Sequence, residues 1–125
     1  MRYTLFLHYP EMTPGDVGEA AIEAGRAAFQ AYGRALEDAG ILVIAEMHQP
    51  VAHAATLALR DGHRRVEHGP WAGTTQQIGG TFVIEVPDLD AALTWAELCP
   101  AAAWGTIEVR PSAVRFANGK WMSVT

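Results

Sequence analysis

The chain has 125 residues, half of them hydrophobic and 18% charged, which predicts one globular domain and excludes a disordered protein. Its formal net charge is −5 and its longest basic run is His63-Arg64-Arg65, which argues against nucleic acid as a partner. Because it has one cysteine, Cys99, no signal-peptide pattern and no apolar run of about 20 residues, we expect a cytoplasmic protein that does not bind membranes.

Residues 2–9 alternate in the manner of a strand. One face carries Tyr3, Leu5 and Leu7, and the other carries Thr4, Phe6 and His8. A helix is predicted next, from an N-cap at Asp16, with Glu19 in a capping box, to about Ala39. Its apolar stripe comprises Val17, Ala21, Ala24, Ala28, Ala31, Tyr32, Ala35 and Leu36.

Residues 41–48 predict a second strand with one apolar face. That face carries Ile41, Val43, Ala45 and Met47, and the opposite face carries Leu42, Ile44, Glu46 and His48. Residues 55–60 and 63–67 then form a predicted hairpin around Asp61-Gly62, because Asp-Gly favours a tight turn between strands.

The segment from residue 67 to residue 86 predicts a loop that leads into a central strand. His68, Trp71 and Gln77 lie on this loop, at the mouth of the strand, and Gly79-Gly80 lets two backbones approach closely. Asp88 caps a predicted short helix over residues 89–98, with Leu89, Leu93 and Ala96 facing inward. Residues 105–110 predict the last strand of the sheet, and Asn118-Gly119 predicts a turn before a short strand or tail.

Without the hairpin, the element order is βαββαβ, which predicts an α+β fold of the ferredoxin-like type with an inserted β-hairpin. Both helices then cover one face of an antiparallel sheet. A second copy of the chain would cover the other face, so we expect a homodimer with a barrel-like centre, a dimeric α+β barrel.

Several segments resemble the DGPF branch of the YCII-related superfamily over roughly residues 1–116, which leaves residues 117–125 as a C-terminal extension. The matching segments are Arg2-Tyr3, Ala39-Gly40-Ile41-Leu42, His68-Gly69-Pro70-Trp71, residues 77–96, Cys99-Pro100-Ala101-Ala102 and residues 105–111. The resemblance implies a dimeric ferredoxin-like fold. It also implies that some relatives lie beside extracytoplasmic-function sigma factors. One relative in the wider superfamily is a dehydrochlorinase, for which a His–Asp pair is proposed to transfer protons.

The chain departs from that family pattern at several positions. His68 replaces the aspartate of the motif and Trp71 replaces its phenylalanine, while Gly73, Thr75 and Gln76 replace charged residues. The first helix has no histidine where the superfamily often places its catalytic one. A His–Asp pair is therefore not transferred to this chain, and any proton carriers have been rearranged.

The sheet face opposite the helices is unusually polar for a face enclosed in a dimer. It carries Thr4, Phe6, His8, Glu46, His48, Thr81, Val83, Glu85, Thr106, Glu108 and Arg110. Two interpretations remain open, internal ion pairs or a pocket open to water, and for Glu108 with Arg110 we favour the ion pair. If the pocket forms, its candidate substrate-binding residues are His8, Trp71, Gln77, Glu108 and Arg110.

The candidate catalytic residues are His68, His48 and Glu46. Glu46 and His48 are two apart on one strand, so a carboxylate beside an imidazole is expected there, as in a proton shuttle. The alternative is a pair of solvated histidines at the rim. A metal held by His8, Glu46, His48 and His68 is less favoured, since their spacing matches no compact metal motif. We expect neither metal nor cofactor.

His53 and His63 are expected to have no role, and Cys99 is expected to be a small packing residue. Two functions fit the sequence. The first is a homodimeric, cofactor-free enzyme that moves protons on a small molecule, with lyase, isomerase or dehydrohalogenase chemistry. The alternative is a non-catalytic dimer that binds a small molecule and acts with a transcription partner.

Overall fold

The computed structural model describes residues 1–123. In chain order, its helices and strands are β1 (Arg2–Tyr9), α1 (Pro14–Val17), α2 (Glu19–Asp38), β2 (Leu42–Met47), β3 (Ala55–Arg60), β4 (His63–His68), β5 (Gln77–Glu85), α3 (Leu89–Glu97), β6 (Thr106–Pro111), β7 (Val114–Ala117) and β8 (Lys120–Ser123). Two short 3₁₀ helices occur at Val51–His53 and Pro100–Ala103. No helix among residues 1–123 is long and apolar enough to cross a lipid bilayer.

The main sheet has four strands in the order β2-β5-β1-β6, and each neighbouring pair is antiparallel. With helices α2 and α3 in the crossover connections, this is the ferredoxin-like arrangement, so the predicted α+β fold is confirmed. The predicted hairpin is also present, as the separate two-stranded sheet β3-β4. Asp61 and Gly62 both adopt positive φ there, as a tight hairpin turn requires.

The hydrophobic core includes alternate residues of β1 and β5 together with residues of α2 and α3. Leu5, Leu7, Leu36 and Ile84 are fully buried. Cys99 is buried in the same core and the pKa of its thiol is raised by burial, which suits the packing role predicted for it. The alternation predicted for β1 is therefore confirmed, because it places Leu5 and Leu7 inside.

The start of the first helix differs from the prediction. Thr13, not Asp16, is the N-cap, and Asp16 is the third helical residue, which completes a capping box with Thr13. Helix α1 is then interrupted at Gly18, whose φ of 89° lies outside helical geometry, and α2 begins at Glu19. The prediction placed the capping box three residues too late.

The predicted inward faces of α2 and α3 are partly correct, because Tyr32, Leu36 and Ala96 are buried as predicted and several other predicted residues are exposed. In α2, Tyr32 and Leu36 are buried, whereas Ala24, Ala31 and Ala35 are exposed. Phe29, absent from the predicted stripe, packs against the core. In α3 the buried residues include Ala92 and Ala96, while Leu89 and Leu93 are each 48% exposed. In α3 the small residues Ala92 and Ala96 lie inward, because they let this helix approach the sheet closely.

Strand β2 contains a bulge that changes its predicted faces. Leu42 pairs with Ile84 and Ile44 pairs with Val83, so Val43 is an extra residue without a partner. Because Ile84 faces the core, Leu42 faces it too and packs there, although alternation alone places Leu42 on the open face. Ile44 remains on the open face and is 52% exposed.

The C-terminal residues form a second hairpin, β7-β8, around Asn118 and Gly119, which both have positive φ. The predicted turn and return strand are therefore present. This hairpin spans residues 114–123 and so crosses the boundary predicted after residue 116, and Val124 and Thr125 of the predicted extension lie outside the described residues.

A tyrosine in the core makes stability sensitive to alkaline pH. The buried Tyr32 hydroxyl donates a hydrogen bond to the Trp95 carbonyl oxygen at 2.7 Å, and burial raises the pKa of Tyr32 well above that of a free tyrosine. Above about pH 10 the unfolded chain loses this proton while the folded chain keeps it, so the free energy of unfolding falls as pH rises.

We expect Tyr32→Phe to lower the free energy of unfolding by about 1 kcal/mol near neutral pH, since one buried hydrogen bond is lost. The same variant should lose less stability than the wild type between about pH 9 and pH 11. The free energy of unfolding of both proteins is measured by urea unfolding, followed by tryptophan fluorescence, near neutral pH and between about pH 9 and pH 11. Parallel pH dependences in the two proteins would contradict the role assigned to Tyr32.

Candidate functional site

A β-bulge lies where β1 and β5 reach the candidate site. Leu7 pairs with Gly80 and His8 with Ile78, which leaves Gly79 as the extra residue. A Cβ on Gly79 would collide with the ring of Tyr9, and a Cβ on Gly80 would lie 2.9 Å from the Glu46 carbonyl oxygen, so the backbones of β5 and β2 approach closely here. The close approach predicted at Gly79-Gly80 is thus confirmed. His8 faces one side of the sheet and Tyr9 the other.

An open cleft of about 1100 Å³ lies on the His8 side of this bulge. Its floor is formed by the ends of β1, β5 and β6, with His8, Ile78, Thr106 and Glu108. One wall is the 3₁₀ turn after β2, and the other is the loop before β5. These walls contribute His48, His53, Pro70, Trp71, Gln76 and Gln77, among other residues.

The floor of the cleft brings an imidazole and a carboxylate together. His8 Nε2 lies 3.3 Å from Glu108 Oε1, and the side chains are 27% and 50% exposed. The other carboxylate oxygen, Glu108 Oε2, lies 3.8 Å from Arg110 Nη1. The ion pair favoured for Glu108 and Arg110 is therefore present, and Glu108 also contacts His8. An imidazole held by a carboxylate is suited to proton transfer.

The side-chain amides of Gln76 and Gln77 stabilise the loop before β5. Gln77 Nε2 donates hydrogen bonds to the carbonyl oxygens of Ala72 at 2.5 Å and Thr74 at 2.8 Å. Gln76 Oε1 accepts a hydrogen bond from Thr106 Oγ1 at 3.0 Å, which ties the loop to β6. Since these amide groups stabilise the loop, Gln77 positions the wall of the cleft. Trp71, at the rim, is 87% exposed.

The opposite wall depends on two backbone contacts. The Val51 N–H donates to Glu11 Oε1 at 2.6 Å, which fixes the turn that carries His53. The His48 N–H donates to the Gly79 carbonyl oxygen at 2.8 Å, so His48 is attached to the bulge itself. These two hydrogen bonds thus fix the backbone at His53 and at His48, and both histidines line the cleft.

The YCII-related domain matches residues 1–114 of the chain. The chain belongs to the YCII-related family. No curated protein matches it. The family match ends at the first residue of β7, so nearly the whole second hairpin of this YCII-related protein follows the matched region.

Five predicted site residues line the cleft of this YCII-related protein, and three lie outside its lining. The five are His8, His48, Trp71, Gln77 and Glu108. His68 is the last residue of β4, where it is exposed and pairs with Ala55. Arg110 does not line the cleft but forms an ion pair with Glu108, which does.

The expected pair of Glu46 and His48 is not formed. Glu46 lies opposite Thr81 on the open face, and within residues 1–123 its carboxylate makes no hydrogen bond or ion pair with His48. Strand β2 ends at Met47, so strand alternation no longer sets the direction of His48. His53, which was expected to have no role, lines the cleft instead.

The sequence carries no local signal for the contact between His8 and Glu108. The two residues are 100 positions apart, and only the antiparallel register of β1 and β6 makes them neighbours. Within residues 1–123, no three side chains of the histidine, cysteine, aspartate and glutamate types converge closely enough to share a metal ion. His8, Glu46, His48 and His68 thus form no such group.

Proposed function

We propose that this YCII-related protein is a cofactor-free, homodimeric enzyme that transfers protons on a small, partly hydrophobic molecule. The observation that carries the proposal is the contact between His8 and Glu108 on the floor of the cleft. An ionised Glu108 accepts a hydrogen bond from Nε2–H of His8, which leaves the lone pair of Nδ1 as the base. His8 then removes a proton from carbon, and Glu108 orients the imidazole and stabilises its charged form.

The other lining residues support this assignment. The cleft lining combines apolar residues, including Pro50, Pro70, Trp71 and Ile78, with polar side chains, and such a combination is found in small-molecule sites. His48 lines the same cleft and is the candidate for the second proton carrier, as a general acid. In a lyase or dehydrohalogenase reaction, the electrons of the broken C–H bond form a double bond and the leaving group departs with its pair.

The open face of the sheet supports the proposed homodimer. Ile44 is 52% exposed there, and the neighbouring Phe6 and Val83 remain partly exposed, so the middle of this face is apolar. A second copy packed on it would bury these side chains. Because His8 and Glu108 lie on the same face, the partner would also cover the cleft and restrict its access to water.

We further assign the chain to the DGPF branch of the family and to the cytoplasm. The branch assignment rests on the ordered similarity of residues 68–86 and 105–111, despite His68 at the motif aspartate. The cytoplasmic assignment rests on Cys99, which is a buried free thiol and has no second cysteine to pair with in the sequence.

A second function, a non-catalytic dimer that binds a protein partner in transcription, is favoured by the hairpin β3-β4. Leu57, Leu59 and Val66 are 57%, 63% and 44% exposed, and their register places Leu57 opposite Val66. Exposed apolar side chains grouped in this way are typical of protein interfaces. In this function the cleft would hold an effector molecule and His8 would not act as a base.

The test is a screen for proton exchange in D₂O. Keto acids, lactones and chlorinated ring compounds are incubated with the protein, and NMR detects deuterium at carbon or released unsaturated product. Exchange that depends on the protein supports the enzyme. If compounds bind but no compound in the panel undergoes exchange, the proposed enzyme is contradicted and the binding dimer is favoured.

A further inference from the structure

A second cavity, of about 700 Å³, lies on the other side of the sheet, between α2 and the ends of β1 and β2. Phe29, Ala45, Phe82 and Trp104 are among the residues that line it. Tyr9 also lines it, whereas the adjacent His8 lines the cleft, so the sheet separates the two spaces. This volume falls within the range of small-molecule sites, and it is additional to the proposed catalytic cleft.

Three aromatic rings form one wall of this cavity. The ring centroids of Phe29 and Trp104 are 5.7 Å apart at an interplanar angle of 75°, and Tyr9 lies 6.3 Å from Phe29 and 6.4 Å from Trp104. The two contacts of Trp104 are edge-to-face, while the rings of Tyr9 and Phe29 are tilted by 31°, and together these contacts hold the rings in place without a ligand. The wall is thus a preformed apolar surface for an aromatic or aliphatic molecule.

The polar side chains at the cavity can all donate hydrogen bonds, and no carboxylate among residues 1–123 lines it, although the chain carries a net charge of −5. The donors are Arg26, Gln30 and the hydroxyl of Tyr9, whose pKa burial raises, so that it stays protonated. Arg26 Nη1 lies 3.8 Å from Glu23 Oε2, and both side chains are about three-quarters exposed, which makes a weak pair. The guanidinium therefore remains available to an anion.

Helix α2 keeps the cavity open with glycine. Gly25 and Gly33 both line the cavity from the helix interior, where glycine costs about 1 kcal/mol relative to alanine. A Cβ on Gly33 would have no heavy atom within 4 Å, so packing does not require glycine there. The helix thus leaves space beside Phe29 that a larger and more favourable residue would fill.

We infer that this cavity binds a small apolar anion, with its hydrocarbon or aromatic body against Phe29 and Trp104 and its carboxylate or similar oxyanion at Arg26. The inference does not depend on the proposed reaction, because the cavity lies on the opposite side of the sheet. The apolar wall supplies most of the binding, and Arg26 distinguishes an anion from a neutral molecule of the same shape.

Two fluorescent probes test the inference, 8-anilinonaphthalene-1-sulfonate and its uncharged analogue N-phenyl-1-naphthylamine. We expect Gly33→Leu to weaken the saturable binding of both probes, because the leucine side chain occupies part of the cavity while favouring the helix. Arg26→Gln should weaken binding of the sulfonate about tenfold and leave the neutral probe unchanged. Ala27→Leu, on an exposed position of α2 outside the lining, is the matched control.

The melting temperature of each variant is measured first. If Gly33→Leu does not fold, Ala21→Leu narrows the cavity from another position of α2. If a folded variant with leucine in the cavity binds the sulfonate as tightly as the wild type, the proposed binding site is wrong. An equal effect of Arg26→Gln on both probes would overturn the preference for an anion.

Discussion

Glutamine in place of His8 is expected to lower protein-dependent proton exchange by about 10²- to 10⁴-fold, the usual contribution of a general base. The loss follows because glutamine retains hydrogen bonding to Glu108 but has no nitrogen that accepts a proton at neutral pH. Circular dichroism should be unchanged, since the His8 side chain is 27% exposed and outside the core. The measurement is the NMR exchange rate on a substrate from the screen.

Glu108→Gln should lower kcat while KM stays close to the wild-type value, because Glu108 acts on His8 and not through substrate affinity. His63→Asn is the matched control, since His63 is exposed at the tip of the hairpin β3-β4, outside the cleft lining. His8→Gln with more than half of the wild-type rate would exclude His8 as the base. His48→Gln would then be the next variant, because His48 lines the same cleft.

Glutamate in place of Ile44 is expected to convert the proposed dimer to a monomer. Ile44 lies on the open face of the sheet beside Val83, so the proposed second copy would bury a charge without a partner. Its neighbour Glu46 adds repulsion. We expect the dissociation constant of the dimer to rise at least about 100-fold. The exposed position of Ile44 leaves the monomer folded, and sedimentation velocity measures the change.

Leu93→Glu is the control for this experiment. Leu93 is 48% exposed, similar to Ile44, but lies on α3 on the opposite side of the sheet, so the variant should remain dimeric. A monomeric wild-type protein, or a dimeric Ile44→Glu variant, would refute the proposed interface. If the partner covers the cleft, the monomeric variant should also lose proton exchange although His8 and Glu108 are intact.

Local patterns were sufficient to predict most elements of the sheet. The alternation over residues 2–9 identified the buried face of β1, because side chains of a strand alternate whatever its neighbours are. Asp61-Gly62 and Asn118-Gly119 identified both hairpin turns, because few residues tolerate positive φ. Asp88 was correctly identified as an N-cap, and its side chain accepts a hydrogen bond from the Ala91 N–H at 2.9 Å.

The predicted helix faces were less accurate, since an alanine-rich helix has several possible apolar stripes. Ala24, Ala31 and Ala35 are exposed, while Phe29 packs against the core, because the approach of α2 to the sheet selects its buried face. The bulge at Val43 likewise depends on tertiary packing. It shifts Leu42 to the core face through pairing with β5, and no pattern within β2 indicates it.

The sequence by itself determined the order and type of the elements, the hairpin turns and which polar residues lie on the open face of β1 and β6, because these features depend on residues close together in the chain. Only the tertiary structure decided which polar residues meet. His8 and Glu108 lie 100 positions apart and come into contact through the register of β1 and β6, while Glu46 and His48, two positions apart, do not pair. Register arises from pairing along whole strands, so a functional contact between strands is set by the assembled sheet.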